Sequence, residues 1–144
     1  MSKFEVSTFI NRPPQEVFDF MTNPANSPKW QTGTESAKWV SAGPVGVGSI
    51  SHTVGKLMGR KFESDAEVSQ WNSPTVWGMK STNGPLKFEG TNKFEPKDGG
   101  TLVIQNVQIE AGGFLKLAEG LATKQMQKQV ESDGQALKKL LEAR

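Results

Sequence analysis

At 144 residues the chain suits a single domain that buries a core without disulfides or structural metal, and with no cysteine it excludes thiol catalysis, cysteine-based metal sites and disulfides. Its 17 Lys and Arg are interspersed with 15 Asp and Glu for a net charge of +2, which argues against nucleic acid as a partner. The start MSKFEVSTFI lacks the features of a signal peptide, and no apolar run reaches the length of a membrane span, so a soluble, cytoplasmic protein without stable membrane insertion is expected.

Lys3 to Ile10 alternates, with Phe4, Val6 and Ile10 on one side and Lys3, Glu5 and Ser7 on the other, as a half-buried strand does. Asn11-Arg12-Pro13-Pro14 breaks it and opens a short helix whose buried side is Val17, Phe18, Phe20 and Met21. Asn23-Pro24 ends that helix, and a second brief helical stretch runs from Pro24 or Asn26 to Trp30 before the chain extends near Glu35.

Strands and turns follow. Ser36 to Ser41 is expected as a strand, closed by the glycine-rich loop Ala42 to Gly48, which suits a mobile rim. Gly48 to Lys56 comes next, with Ile50, His52 and Val54 on one face, expected inward. Lys61 to Trp71 alternates most clearly: Phe62, Ala66 and Val68 oppose Lys61, Glu63, Asp65 and Glu67. Thr75 to Ser81 forms a fifth strand, and Leu86 to Glu95 a sixth with Phe88, Gly90, Asn92 and Phe94 opposing Lys87, Glu89, Lys93 and Glu95. Asp98-Gly99-Gly100 turns tightly into a seventh, Thr101 to Ile109, whose two faces are both apolar and leave its inward side open.

Gly113 to Arg144 reads as one long amphipathic helix. Leu115, Ala118, Ala122, Met126, Val130, Leu137, Leu140 and Leu141 share a stripe, opposite Lys124, Lys128, Glu131, Gln135, Lys139 and Glu142. At 1.5 Å per residue it spans roughly 45 Å, and the strands upstream make a curved sheet its natural partner. The expectation is an α+β helix-grip fold spanning residues 1–144: about seven antiparallel strands wrapped around the C-terminal helix, with two short helices after the first strand. Gly55, Gly78 and Gly90 are placed for kinks or bulges that curve the sheet, and the gap beneath the helix is where a ligand would go.

In that order the chain resembles the START-like, or SRPBCC, superfamily, and within it the polyketide cyclase/dehydrase-type helix-grip family. The resemblance rests on Pro13-Pro14-Gln15-Glu16-Val17-Phe18, Pro28-Lys29-Trp30, Gly46-Val47-Gly48-Ser49, Gly59-Arg60, Glu67-Val68 ahead of Pro74, Gly99-Gly100-Thr101 and Leu137 to Glu142. It implies a scaffold with a cavity rather than one activity, since such families include ring cyclases, hydrophobic-ligand binders, lipid carriers and co-chaperone-type modules.

If charged strand faces look to solvent, the cavity lining is His52, Phe62, Ser64, Ala66, Trp77, Met79, Phe88, Asn92 and Phe94 from the sheet, with Met126 and Val130 from the helix. This suits a small hydrophobic or aromatic ligand with a few hydrogen-bonding groups, against the plainer alternative that large side chains fill the space. His52, the single histidine, is a candidate general base, although a lone histidine without a partner motif is more often a strand residue satisfied by its neighbours. Asp133 and Glu119 interrupt the apolar stripe, so either is a candidate acid/base group or a carboxylate paired at the stripe's edge. P-loop, dinucleotide, nucleophile-elbow and zinc-protease motifs are absent from the sequence, and no cofactor or metal is expected.

Binding or carriage of the ligand is therefore the leading expectation. A cyclase or dehydratase using a His52–Asp133 relay, with Asn92 or Ser64 orienting the substrate, is the alternative. A third is an interaction module. Phe114, Leu117 and Leu121 lie off the main stripe and, with Val45, Val47, Leu57 and Met58, suit self-association as a homodimer or burial under the chain's own loops.

Overall fold

The computed structural model describes residues 2–57, 59–84, 87–110 and 119–144. In chain order these form β1 (Ser2–Ile10), α1 (Pro14–Thr22), a 3-10 turn (Pro24–Asn26), α2 (Ser27–Trp30), β2 (Thr34–Trp39), β3 (Ile50–Leu57), β4 (Arg60–Asn72), β5 (Val76–Asn83), β6 (Lys87–Lys97), β7 (Gly100–Glu110) and α3 (Glu119–Glu142). The expected helix start at Gly113, with Phe114, Leu115, Leu117 and Ala118, lies outside the described residues, as do Met58, Leu86 and the side chains of Leu57, Glu119 and Ala122.

The strands make one antiparallel sheet in the order β1-β7-β6-β5-β4-β3-β2. The six later strands run as a meander, and β1 closes the far edge by pairing with β7 from Ser2↔Ile109 to Ile10↔Thr101. Asp98 and Gly99 carry the β6–β7 turn with φ of 48° and 79°, the left-handed pair that matches the twist of a two-residue hairpin. Sheet curvature has local causes. The pairing register shifts between Val68 and Gln70 opposite Gly78, and between Thr34 and Ser36 beside Gly55. At Gly78 an added Cβ would lie 2.8 Å from Ser69 Oγ, so the bulged strand needs the glycine. Gly90 has no such shift in its pairings with β5 and β7, so of the kink or bulge expected there no bulge forms.

The register decides which faces look inward. Phe62, Ala66 and Val68 of β4 do, as their alternation predicted, and β7 turns Val103, Gln105, Val107 and Ile109 the same way, in register with inward Phe94, Asn92, Gly90 and Phe88. For β3 the expectation is off by one residue. Ser51, Thr53 and Gly55 pair with Ala66, Ser64 and Phe62 on the inner face, so Ile50, His52 and Val54 face outward with Glu67, Asp65 and Glu63. Strand periodicity is 2, so one misplaced residue flips the set, and here the larger apolar side chains mark the outer face.

The core has two parts. Ile10, Val17, Phe18, Phe20, Met21, Trp30, Phe94, Val103, Leu137 and Leu141 pack where α1, α2 and the end of α3 meet the sheet. Phe4, Val6 and Ile109 form the second part, against Val107, Met126 and Val130. Leu140, expected on the buried stripe, is 38 % exposed, because the i, i+4 pair Leu137 and Leu141 takes the inward positions of the last turns. Leu121, on the outer side of α3, is 64 % exposed.

The end of α3 is clamped to the β1–α1 corner. Arg12 Nε donates to the Leu141 carbonyl at 2.8 Å, the Asn11 N–H to Glu142 Oε2 at 2.9 Å, and Lys138 Nζ to the Phe9 carbonyl at 2.8 Å. The Arg12 bond helps satisfy a helix C-terminal carbonyl, which the Arg144 N–H also reaches at 3.3 Å. Further in, a Cβ on Gly134 would lie 2.5 Å from Thr8 Oγ1, so the helix approaches β1 closely there. Among the described residues no helix is long and apolar enough to cross a membrane.

Candidate functional site: a cavity between the sheet and the C-terminal helix

Where α3 leaves its tight contact with β1, the sheet curves away and leaves a partly open cavity of about 360 Å³. Phe62, Ser64 and Ala66 of β4, Trp77 and Met79 of β5, and Phe88 and Asn92 of β6 form its floor. Met126 and Val130 of α3 form the roof, while Met21 and Trp30 close the end under α1 and α2. Nine of the residues expected at the cavity therefore line it. Phe94 faces inward one step too far along β6 and packs in the core, 5.1 Å from the ring of Phe18.

Sequence reasoning missed Trp39, Ser51, Thr53 and Gln105, which also line the void. The β3 pair was lost with the reversed face, and Gln105 lies on the strand whose alternation is ambiguous. For Trp39, the clue was its alternation with Ala37 in β2, which faces the same space. Gly90 contributes by having no side chain: a Cβ there would meet nothing closer than the Asn106 carbonyl at 3.7 Å.

The lining is apolar with neutral polar groups. Among the described residues it contains no carboxylate and no imidazole; Lys56 borders it but lies on the outward pleat, in register with Lys61. The main polar feature is an amide pair across β6 and β7. Gln105 Nε2 donates to Asn92 Oδ1 at 3.1 Å, and Asn92 Nδ2 donates to the Trp77 carbonyl at 3.3 Å. Trp30 and Trp77 also hold buried indole N–H groups without partners; both nitrogens are sealed from the void and a ligand would reach them only if the rings turned.

His52 is not at the cavity. On the outer face its Nδ1 lies 2.6 Å from Asp65 Oδ1 and its Nε2 3.1 Å from Glu63 Oε1, and Asn83 Nδ2 donates to Asp65 Oδ2 at 2.8 Å. The Asp65 and then the Glu63 hydrogen bonds hold the imidazole's pKa above its ordinary 6.5. Because the folded pKa is raised, the stabilisation is present below about pH 6.5 and is lost as pH rises through the folded value. Replacing His52 by Gln should therefore lower Tm at about pH 6 and have little effect at about pH 9. Thermal melts of both proteins across that range check it; a pH-independent difference would show that the triad does not titrate in this way.

Asp133 is buried on α3 at 7 % exposure and serves the link between α2 and β2 rather than a ligand. Its Oδ1 accepts the Thr32 N–H at 2.9 Å and the Thr32 hydroxyl at 2.8 Å, while Gln129 Nε2 donates to the Thr32 carbonyl. Burial raises the carboxyl pKa, and the two Thr32 bonds offset part of that rise. Ionisation of Asp133 thus costs stability as pH rises above the ordinary carboxylate value, the reverse of the usual salt-bridged aspartate. Asp133→Asn keeps an acceptor for Thr32 and should be close to neutral at pH 7, whereas Asp133→Ala strands the Thr32 N–H and should cost about 1–3 kcal/mol in urea unfolding. Equal losses in the two variants would rule out this capping role.

His52 and Asp133 lie on opposite sides of the sheet, so they share no wall of the cavity and cannot form the proton relay considered from the sequence. Among the described residues no three His, Asp or Glu side chains are grouped to hold a metal ion.

The family described as polyketide cyclase / dehydrase and lipid transport matches residues 1–142, essentially the whole chain. The chain belongs to this family. Its fold is shared by the protein TTHA0849 from Thermus thermophilus, at 25 % identity over 99 % of this chain and 98 % of that one, with a TM-score of 0.84. It is also similar to the Zhui aromatase/cyclase from Streptomyces sp. R1128, at 12 % identity over 99 % and 94 % of the two chains and a TM-score of 0.81. A START superfamily protein from Mycobacterium smegmatis matches at 12 % identity over 94 % and 98 %, with a TM-score of 0.72. No match is found among curated proteins. This polyketide cyclase / dehydrase and lipid transport family member thus has the Bet v 1- and START-like helix-grip fold, and the family and fold point to hydrophobic-ligand binding or cyclase-like chemistry.

Proposed function

We propose that this chain binds or carries a small hydrophobic or aromatic molecule in the cavity between α3 and the sheet, without carrying out chemistry on it. The observation that supports this reading is the lining itself. Trp39, Phe62, Trp77, Met79, Phe88 and Met126 supply apolar and aromatic surface, and the described lining offers neutral hydroxyls and amides in place of an acid or base. At about 360 Å³ the void is near the lower end of the ~300–1,000 Å³ typical of small-molecule sites, which favours a compact ring system over a diacyl lipid. A cyclase or dehydratase on the same scaffold would have to act through shape and neutral hydrogen bonds, since the His52–Asp133 pair is divided by the sheet.

Titration with prodan, a neutral naphthalene dye, tests the proposal. Saturable binding with a blue-shifted dye emission and quenching of tryptophan emission is expected, because Trp30, Trp39 and Trp77 all border the void. Emission that rises linearly with dye, without saturation or tryptophan quenching, would end the carrier reading.

A further inference from the structure

We propose that the cavity selects an uncharged ligand bearing a hydroxyl group, and that this hydroxyl docks on the Asn92–Gln105 amide pair. The inference rests on the carrier reading and adds the chemistry of the cargo. Two primary amides offer four N–H donors and two carbonyl oxygens. In this pair one N–H of Gln105 is used on Asn92 Oδ1, and one N–H of Asn92 on the Trp77 carbonyl. Gln105 Oε1 and the second N–H of each amide have no partner among the described residues.

These free groups belong to half-buried side chains on the inner face of β6 and β7, with Trp77 beside Asn92 and Val107 one inward position along from Gln105. Gln105 Oε1 is not sealed from solvent, so water can reach it, and a ligand that covers the pair must replace that water. A hydroxyl meets the need with one atom, donating to Gln105 Oε1 while accepting a free amide N–H. A lone carbonyl or ether oxygen would leave Oε1 unpaired, and an apolar ligand would leave the whole set unpaired.

Charge is excluded by the same lining. A carboxylate, sulfonate or ammonium group brought inside to the amide pair would lose hydration, and the charged residue of the described lining, Lys56, lies on the outward pleat of β3 rather than beside the pair on β6 and β7. Neutral amide dipoles do not compensate a full charge at that depth.

Three probes that share one ring system separate the contributions: 2-naphthol, naphthalene and 2-naphthoate, each titrated at pH 7 by tryptophan quenching and checked by calorimetry. In the wild type 2-naphthol should bind about three- to tenfold tighter than naphthalene, and 2-naphthoate should bind weakest. Gln105→Leu should bring 2-naphthol to the level of naphthalene while naphthalene binds as well as before or better. Gln105→Met serves the same purpose should the leucine variant fold poorly. Equal affinities for 2-naphthol and naphthalene, equal affinities for 2-naphthol and 2-naphthoate, or an equal loss for both neutral probes in the variants would overturn the proposal while leaving the carrier reading intact. Failure of all three probes to bind would remove both.

Discussion

Phe18→Ala is expected to be the most destabilising single truncation in the molecule, costing about 3–5 kcal/mol. Phe18 is 1 % exposed, and both Trp71 and Phe94 lie 5.1 Å from its ring at interplanar angles of 70° and 69°. Truncation would lose the transfer energy of the ring, the edge-to-face contacts with two aromatic neighbours, and the packing that holds α1 against the sheet. Capping does little to hold the helix in its place: its N-cap, Pro13, makes no side-chain capping bond. Urea unfolding should show a lower midpoint with an unchanged slope. Val47→Ser, at a position 70 % exposed, is the control and should stay within about 0.5 kcal/mol of wild type. A loss at Phe18 as small as that of the control would mean that α1 docks by other means.

Gly90→Leu should block the cavity while sparing the fold. The inner face at this position is open, with the Asn106 carbonyl the nearest heavy atom to a new Cβ at 3.7 Å, and a leucine side chain would project into the space bordered by Met79 and Val107. Removing the volume of one side chain from an apolar site forfeits about 1.5–3 kcal/mol of ligand burial, so prodan affinity should fall by about tenfold or more. Stability should hold or rise, since glycine weakens a strand interior. Gly78→Leu makes the opposing case: its Cβ would meet Ser69 Oγ at 2.8 Å, so that variant should lose stability first. Undiminished prodan binding in folded Gly90→Leu would place the dye somewhere other than this cavity.

These outcomes depend on distinctions that the sequence carries unevenly. In β4 the charges of Lys61, Glu63, Asp65 and Glu67 mark the wet face so clearly that the inward positions of Phe62, Ala66 and Val68 follow from alternation alone. The same holds for β6. In β3 the two faces read Ile50, His52, Val54 and Ser51, Thr53, Gly55, and hydrophobicity points to the wrong one. The outer set lies among carboxylates and β-strand neighbours at the surface, while Ser51 and Thr53 of the inner set are small and polar where they border a void rather than a filled core.

The order and type of every described element, the antiparallel meander, the tight hairpin at Asp98-Gly99-Gly100 and the presence of an apolar face on α3 were legible from local patterns, because each depends on a few neighbouring side chains. Tertiary structure alone decided what lay between strands. The pairing register placed Gln105 opposite Asn92, sent His52 outward to Asp65 and, with the docking of α3, assigned Asp133 to Thr32, each a contact between residues 13 or more positions apart. Periodicity tells which residues share a face but not which face is buried when both are weakly apolar; only the partner across the hydrogen-bonded ladder breaks that symmetry.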